Sequence, residues 1–426
     1  MKIFHMVQGE RRFFRVCVKW LANQNPDAVI RNLKAIPEMG RWDDLYSLVD
    51  TPVEKAAFDF MLKQLFLDLE SRTPSLLAKW LKSENTSSKE SRVLATKTRE
   101  HFKLTPRRYR KMLSTLRNRI NIIETLMSQN RWDEIEFDKI PSRAGLIYKN
   151  AFARRDIIKA KYESFMKDKT TKVNAAVLNP VDIAEQIFGS YRPSEIERLA
   201  WEKYWDNLKD YYNGREEPGI AIVDVSGSMA GQPMNAAVSM GAYIAERGKG
   251  PFQNHFITFS DTPQLVKFEG VDIYDKFRRA RQADWGGSTN IEAVFDLLLQ
   301  TGRRNHVRPE DMPRTIYIFS DMEFNDCVST NTIHSDGWYG CSRINKNQIN
   351  TVIEEQMQKW KQYGYKAPRV IFWNLRAAQD NIPAIGEGFS YISGYSMSGI
   401  EAVLSGKDGY DLMMDVLNKD KYASIY

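Results

Sequence analysis

The sequence predicts an α + α/β protein: an α-helical repeat module over residues 1–215, then a doubly wound parallel α/β domain over residues 216–426. Three observations carry this. Length 426 suits two or three domains at about 100–200 residues each. Apolar residues in the first half recur at helical spacing between proline-containing breaks. Near residue 215 the pattern changes to short runs rich in β-branched residues, alternating with helical stretches.

Residues 11–35 place Phe14, Val18, Trp20, Leu21, Val29, Ile30 and Leu33 at broadly helical spacing, and Pro37 is expected to end that run. Thr51-Pro52-Val53-Glu54 reads as N-cap, first helical position and capping-box acid of a helix running to about Glu70. Thr73-Pro74 is expected to open a helix ending near Trp80 and Leu81, and residues 83–91 are a polar loop. Thr105-Pro106 begins a long helix lined by Tyr109, Leu113, Leu116, Ile120, Ile123 and Leu126. Helices separated by such breaks suggest a solenoid of helix pairs. Arg41-Trp42-Asp43-Asp44 and Arg131-Trp132-Asp133-Glu134 echo one another. They are expected to be inter-helix turns with a packed Trp, the rival reading being a platform for stacked bases.

In the second half, strands are expected at 219–226, 254–260, 314–321 and 369–375, and helices at 233–247, 289–302 and 346–362. Residues 201–216 form the expected joint.

Charge is uneven. Residues 1–220 carry net +10 and residues 221–426 net −3, while residues 101–180 alone hold 18 basic and 8 acidic residues. Such a block footprints on an anionic partner, most often nucleic acid, or else forms solvated helix faces. The candidate RNA-binding residues are Arg107, Arg108, Arg110, Lys111, Arg117, Arg154 and Arg155. No run of about 18 apolar residues predicts a membrane span, and the N-terminus lacks signal-peptide features. Cys17, Cys327 and Cys341 make no disulfide framework, so a reducing, cytoplasmic setting is expected. A Cys–His–Cys site at Cys327, His334 and Cys341 is disfavoured, because no two ligands are closely spaced.

The chemistry gathers at the carboxyl ends of the expected strands, where open α/β sheets bind ligands. Asp224-Val225-Ser226-Gly227-Ser228 ends the first strand, with Gly227 expected to permit a tight turn that aims both serines at one point. Gly286-Gly287-Ser288-Thr289-Asn290 opens a helix, and Ser320-Asp321 ends another strand. An all-oxygen set of this kind suits a hard cation such as Mg²⁺ or another divalent ion, with Thr289 as a third hydroxyl and Asp321 acting through water.

This trio resembles the metal-ion-dependent adhesion site of von Willebrand factor A domains, whose pattern is Asp-x-Ser-x-Ser, a distant Thr and a distant Asp. Here Asp224, Ser226, Ser228, Thr289 and Asp321 match it in order. Thr289 is preferred to Ser288 because it directly precedes Asn290, as in many relatives. In that family the metal usually recognises an acidic group of a partner. Ser226 and Ser228 have no adjacent His base and no GxxxxGK[ST] loop is present, so no enzyme is expected. A metal-dependent phosphoesterase would lack an obvious base. His255 is expected to be a packed histidine, and Glu323 a solvated loop acid.

Gly9-Glu10-Arg11-Arg12, Ile36-Pro37-Glu38 through Gly40-Arg41-Trp42-Asp43-Asp44-Leu45, Tyr109-Arg110 with Leu113, and Pro141-Ser142 with Ala144 resemble the DUF2828 family. That family is related in architecture to Ro/TROVE ribonucleoproteins. The resemblance spans nearly the whole chain. It implies a TROVE- or HEAT-like helical module and a Rossmann-like von Willebrand factor A domain. In relatives the GERR-like segment follows a considerable N-terminal stretch, whereas here it stands at residue 9. The resemblance implies a non-enzymatic RNA-binding scaffold. The alternative is a protein-interaction module whose metal captures a partner Asp or Glu without RNA.

Overall fold

The computed structural model of the chain describes residues 11–120, 122–212, 214, 216–259, 263–282, 291–322, 346–376, 388–405, 409–423 and 425. The chain divides into two compact units. One comprises residues up to Ile135 together with those from Lys407 onward, the other Glu136–Gly406.

The first unit is all helical. Its helices are α1 (Arg11–Gln24), α2 (Pro26–Arg31), α3 (Ala35–Met39), α4 (Glu54–Glu70), α5 (Leu77–Trp80), α6 (Lys89–His101), α7 (Pro106–Arg119) and α8 (Ile123–Ser128). Val18, Leu33, Leu45, Phe58, Met61, Leu65, Leu113 and Leu116 meet in one core. Trp20 and Ile30, placed on the apolar face by spacing alone, are exposed.

Several expected boundaries move. Pro37 lies within α3 rather than ending the run, which the first turn tolerates because its N–H groups have no intrahelical acceptor. The helix after Thr51 starts at Glu54. Thr51 Oγ1 accepts from the Val53 N–H (3.2 Å), and the Glu54 carboxylate takes the Asp50 N–H (2.6 Å) instead of completing a box on Thr51. Thr73-Pro74 opens no helix. Instead the buried Asp68 carboxylate accepts from the Ser75 N–H and hydroxyl, at 2.9 and 2.6 Å, and holds the bend before α5. The long helix from Pro106 breaks after Arg119, where Ile120 is extended (φ −83°, ψ 107°), and resumes at Ile123.

The two Arg-Trp-Asp-acid segments are both 3₁₀ turns, at Trp42–Leu48 and Trp132–Glu134. Trp132 is buried, and Trp42 stacks on Phe60 at 5.6 Å, so packing explains both. In the first turn, Asp43 and Asp44 are buried and receive Arg15 and Arg41 at 2.7–3.0 Å. Arg41 also lies 4.0 Å over the Trp80 ring. Removing Arg15 would take one cation from each of two buried carboxylates, a costly loss in a buried ion-pair network that ties α1 to this turn.

In the second unit, α9 (Ser142–Arg154), α10 (Asp156–Lys167), α11 (Pro180–Phe188) and α12 (Glu195–Asp206) precede the sheet. The strands are β1 (Gly219–Asp224), β2 (His255–Phe259), β3 (Gln264–Lys267), β4 (Thr315–Ser320), β5 (Arg369–Asn374) and β6 (Phe389–Ser393). They are ordered β3-β2-β1-β4-β5-β6, and every pair is parallel except β2–β3. The four expected strands are β1, β2, β4 and β5. The chain runs outward from β1 to β3, then returns to β4 on the other side, so the switch point lies between β1 and β4.

Around the sheet stand α13 (Gln232–Arg247), α14 (Ile273–Ala280), α15 (Ile291–Arg304), α16 (Lys346–Gln362) and α17 (Ser398–Ser405), while α18 (Gly409–Leu417) groups with the first unit. Helix α13 is buried along most of its length and lies close to β1. A Cβ on Gly241 would stand 2.4 Å from the Val223 side chain. Trp201, Tyr204 and Trp205, in the segment expected as a joint, are fully buried within this unit. Trp205 Nε1 donates to Glu246 at 2.5 Å.

Candidate functional site

The apolar run of β1 delivers Asp224 to the carboxyl edge of the sheet, beside the switch point. The Asp224 carboxylate is fully buried. Its Oδ1 accepts the Ser226 N–H at 2.9 Å and its Oδ2 accepts the Ser320 hydroxyl at 2.5 Å. Ser226 and Ser228 converge, their hydroxyls 3.0 Å apart. Gly227 does not bring this about in the expected way. It lies outside the left-handed region, and a Cβ there would meet open space. Left-handed glycine is instead needed at Gly231 (φ 93°), the cap of α13.

Asp321 follows β4 and is 2% exposed. Two carboxylates and two hydroxyls thus gather at one edge. Burial pushes the Asp224 pKa up to about 6, against relief from the Ser320 and Ser226 hydrogen bonds, and the Asp321 charge adds to the rise. A buried carboxylate with an acidic neighbour is relieved by a cation, and the donors are all hard oxygen. The residues present therefore fit a divalent ion such as Mg²⁺. Among the described residues no group of three or more His, Cys, Asp or Glu could hold a metal. Ser288, Thr289, Asn290, Glu323, Cys327, His334 and Cys341 lie outside the described residues. His255 is half-buried and pairs with the Gln253 carbonyl (2.8 Å), as expected of a packed histidine.

Two residues with a place at this edge, Asn374 and Arg376, were not singled out from the sequence, and Ser320 was given no role beyond ending its strand. Ser320 holds Asp224, and its oxygen also accepts the Met322 N–H at 3.1 Å. Asn374 ends β5. Its Oδ1 accepts the Arg376 N–H (2.8 Å) and its Nδ2 donates to the Tyr391 hydroxyl (2.8 Å). The Arg376 guanidinium donates to the Ser228 carbonyl at 2.5 Å and stands 4.0 Å from the Asp321 carboxylate. The signal was available: Asn374 and Arg376 follow an expected parallel strand, whose carboxyl end must reach the same edge.

The basic candidates separate into three groups. On α7, Arg107, Arg108, Arg110 and Lys111 are exposed, opposite the buried Tyr109, Leu113 and Leu116. Among the described residues none of the four side chains has a carboxylate partner. Arg154 and Arg155 end α9 in the other unit and are exposed. Arg154 lines a cavity of about 340 Å³ with Lys159, Glu163, Glu195 and Glu197, a mixed-charge surface.

Arg117 is a correction. Burial lowers its pKa, and its guanidinium donates to the Ala78 and Leu81 carbonyls (2.8 Å each) and the Ser83 hydroxyl (3.0 Å). It braces the segment after α5 and is not available to RNA. Arg117→Ala leaves three acceptors unmatched and is expected to cost about 2–3 kcal/mol. Urea unfolding would measure that loss.

A family model for a domain of unknown function, DUF2828, matches residues 63–210. A second, DUF7788, matches residues 218–422. The chain is similar to uncharacterized protein L728 of Acanthamoeba polyphaga mimivirus, 32% identical over 415 residues that cover 87% of this chain and 68% of that one. Among solved structures it is similar to the Ro (RSR) protein of Deinococcus radiodurans. That match has TM-score 0.39 at 13% identity and covers 92% of this chain and 94% of that one. It is also similar to the SpRpn10 VWA domain, with TM-score 0.26 at 12% identity over 45% of this chain and 96% of that one.

Proposed function

The chain belongs to the DUF2828 family, and on that premise we propose that it is a non-enzymatic RNA-binding scaffold of the cytoplasm with a divalent-cation-dependent recognition site. The observation that carries the RNA reading is the exposed cation set of α7, which has no carboxylate partner among the described residues. Arg107 and Arg108 lie in the first turn, at the positive end of the helix dipole, and that turn contains no acid. Like charges also recur there at i,i+3 and i,i+4. Both features cost helix stability and are relieved by an anionic polymer.

At the other site, Asp224, Ser226, Ser228 and Asp321, with Thr289, would hold the cation. When bound, it supplies a Lewis-acidic position for a partner's carboxylate. The Ser226 N–H and the Ser320 hydroxyl hold the Asp224 carboxylate, and the Ser226 and Ser228 hydroxyls lie together beside it.

The test is a salt titration of binding to a structured RNA with a single-stranded 3′ tail, beside a blunt duplex. Four phosphate contacts predict tail-dependent binding whose log K falls with log[salt] at a slope of about −3. Absence of binding at low salt would overturn the RNA reading. A protein-interaction module would then stand in its place, checked by partner recovery that EDTA abolishes.

A further inference from the structure

We propose that Arg376 is a built-in counter-cation of the acid–hydroxyl site, competing with a divalent ion and so setting the concentration at which the site loads. The inference rests on the reading that Asp224, Ser226, Ser228 and Asp321 hold such an ion. Its ground is the placement of one guanidinium. Arg376 reaches both halves of the site, the Ser228 carbonyl at 2.5 Å and the Asp321 carboxylate at 4.0 Å.

That placement is constructed by the backbone. The Leu375 N–H donates to the Ser320 carbonyl at 3.0 Å, docking the end of β5 on the end of β4. The buried Asn374 side chain then takes the Arg376 N–H at 2.8 Å and fixes the exit direction of the chain. Asp321 is 2% exposed, whereas the Arg376 side chain is 49% exposed. The carboxylate is fixed and the cation has a path to water. Asp321 is a buried acid with Asp224 as an acidic neighbour, and the half-exposed Arg376 guanidinium places a cation beside it. A dication at the same acids repels Arg376, so loading the site releases it from Ser228 and frees its fork of donors at the rim. There it faces the same acidic group that a loaded site would recognise.

The experiment is calorimetric titration of the full chain with Mg²⁺ alone, for the wild type, Arg376→Gln, Arg376→Lys and Asp224→Ala. Gln keeps length and polarity at a half-exposed loop position, and far-UV circular dichroism checks the fold of each variant. Arg376→Gln is expected to bind Mg²⁺ about tenfold more tightly, the weight of one charge a few ångströms from a dication in a water-like dielectric. Arg376→Lys should stay near the wild type. Equal or weaker binding by Arg376→Gln, with Asp224→Ala silent, overturns this inference alone. Failure of wild type and Arg376→Gln alike to bind, or binding unaffected by Asp224→Ala, overturns the site reading and the inference with it.

Discussion

Arg107→Glu combined with Arg108→Glu is expected to lower RNA affinity on the order of a hundredfold at moderate salt and to flatten the salt slope by about 1.4. The same change should not destabilise the fold. Both residues are exposed in the first turn of α7, capped by Thr105 and Pro106. Carboxylates there meet the positive end of the helix dipole and add about 0.3–1 kcal/mol each. A residue whose role was structural would lose binding and stability together. Here the two readouts should move in opposite directions. Filter binding across a salt series and a thermal melt on the same samples decide it. RNA affinity unchanged at moderate salt would make the α7 cations a solvated face.

The second large effect concerns Asp224. Without divalent cations at pH 8, Asp224→Asn should be more stable than the wild type by about 3 kcal/mol, from a shift of roughly two pH units at 1.36 kcal/mol each. The folded-state carboxyl is raised from 3.8 to about 6, so the folded protein holds this proton more tightly than the unfolded chain does. Its contribution is therefore complete below about pH 4 and is lost as pH rises through 6. Asn carries no such charge, keeps an oxygen for the Ser226 N–H, and can donate to the Ser320 hydroxyl, which accepts as readily as it donates. The gap should close as pH falls from 8 to 4. Mg²⁺ at a thousandfold excess over Kd should reverse the order, because only the wild type gains from binding, about 4.1 kcal/mol. Denaturant unfolding at three pH values, with and without Mg²⁺, provides the check. A pH-independent difference would show that Asp224 is not held as a strained carboxylate.

What could be read in advance follows from how strongly each residue's neighbours constrain it. The β1 and β4 runs are buried at every position, and continuous β-branched runs announce such strands, so Asp224 and Asp321 could be placed at their ends. Strands β3 and β6 are edges with mixed exposure, four and five residues long, and QLVK and FSYIS carry no comparable signal. The apolar stripe of α7 continues through Ile120 into Ile123 and Leu126, so periodicity could not reveal the break between them. Arg117 shows a different limit. Spacing puts it off the apolar face, but a long side chain can turn back along the surface, and three acceptors 34–39 residues earlier capture it. A count of charges in a segment therefore overstates the charge that a partner meets.

The burial of α12 bears on how the molecule is made. Arg198 is paired with Asp272 at 2.6 Å, 74 residues later, while Trp205 packs on Tyr243, Phe268 and Phe277. At roughly 5–20 residues per second, a ribosome leaves Trp205 waiting some 4–15 s for the last of these partners, Phe277. The DUF2828 match ends at residue 210, inside that interval. A polypeptide cut there would emerge with Trp205 lacking its ring partners Tyr243, Phe268 and Phe277, and a nascent chain passes through the same state each time it is synthesised. The ribosome-bound intermediate, more than the finished protein, is thus where chaperones are expected to engage this chain.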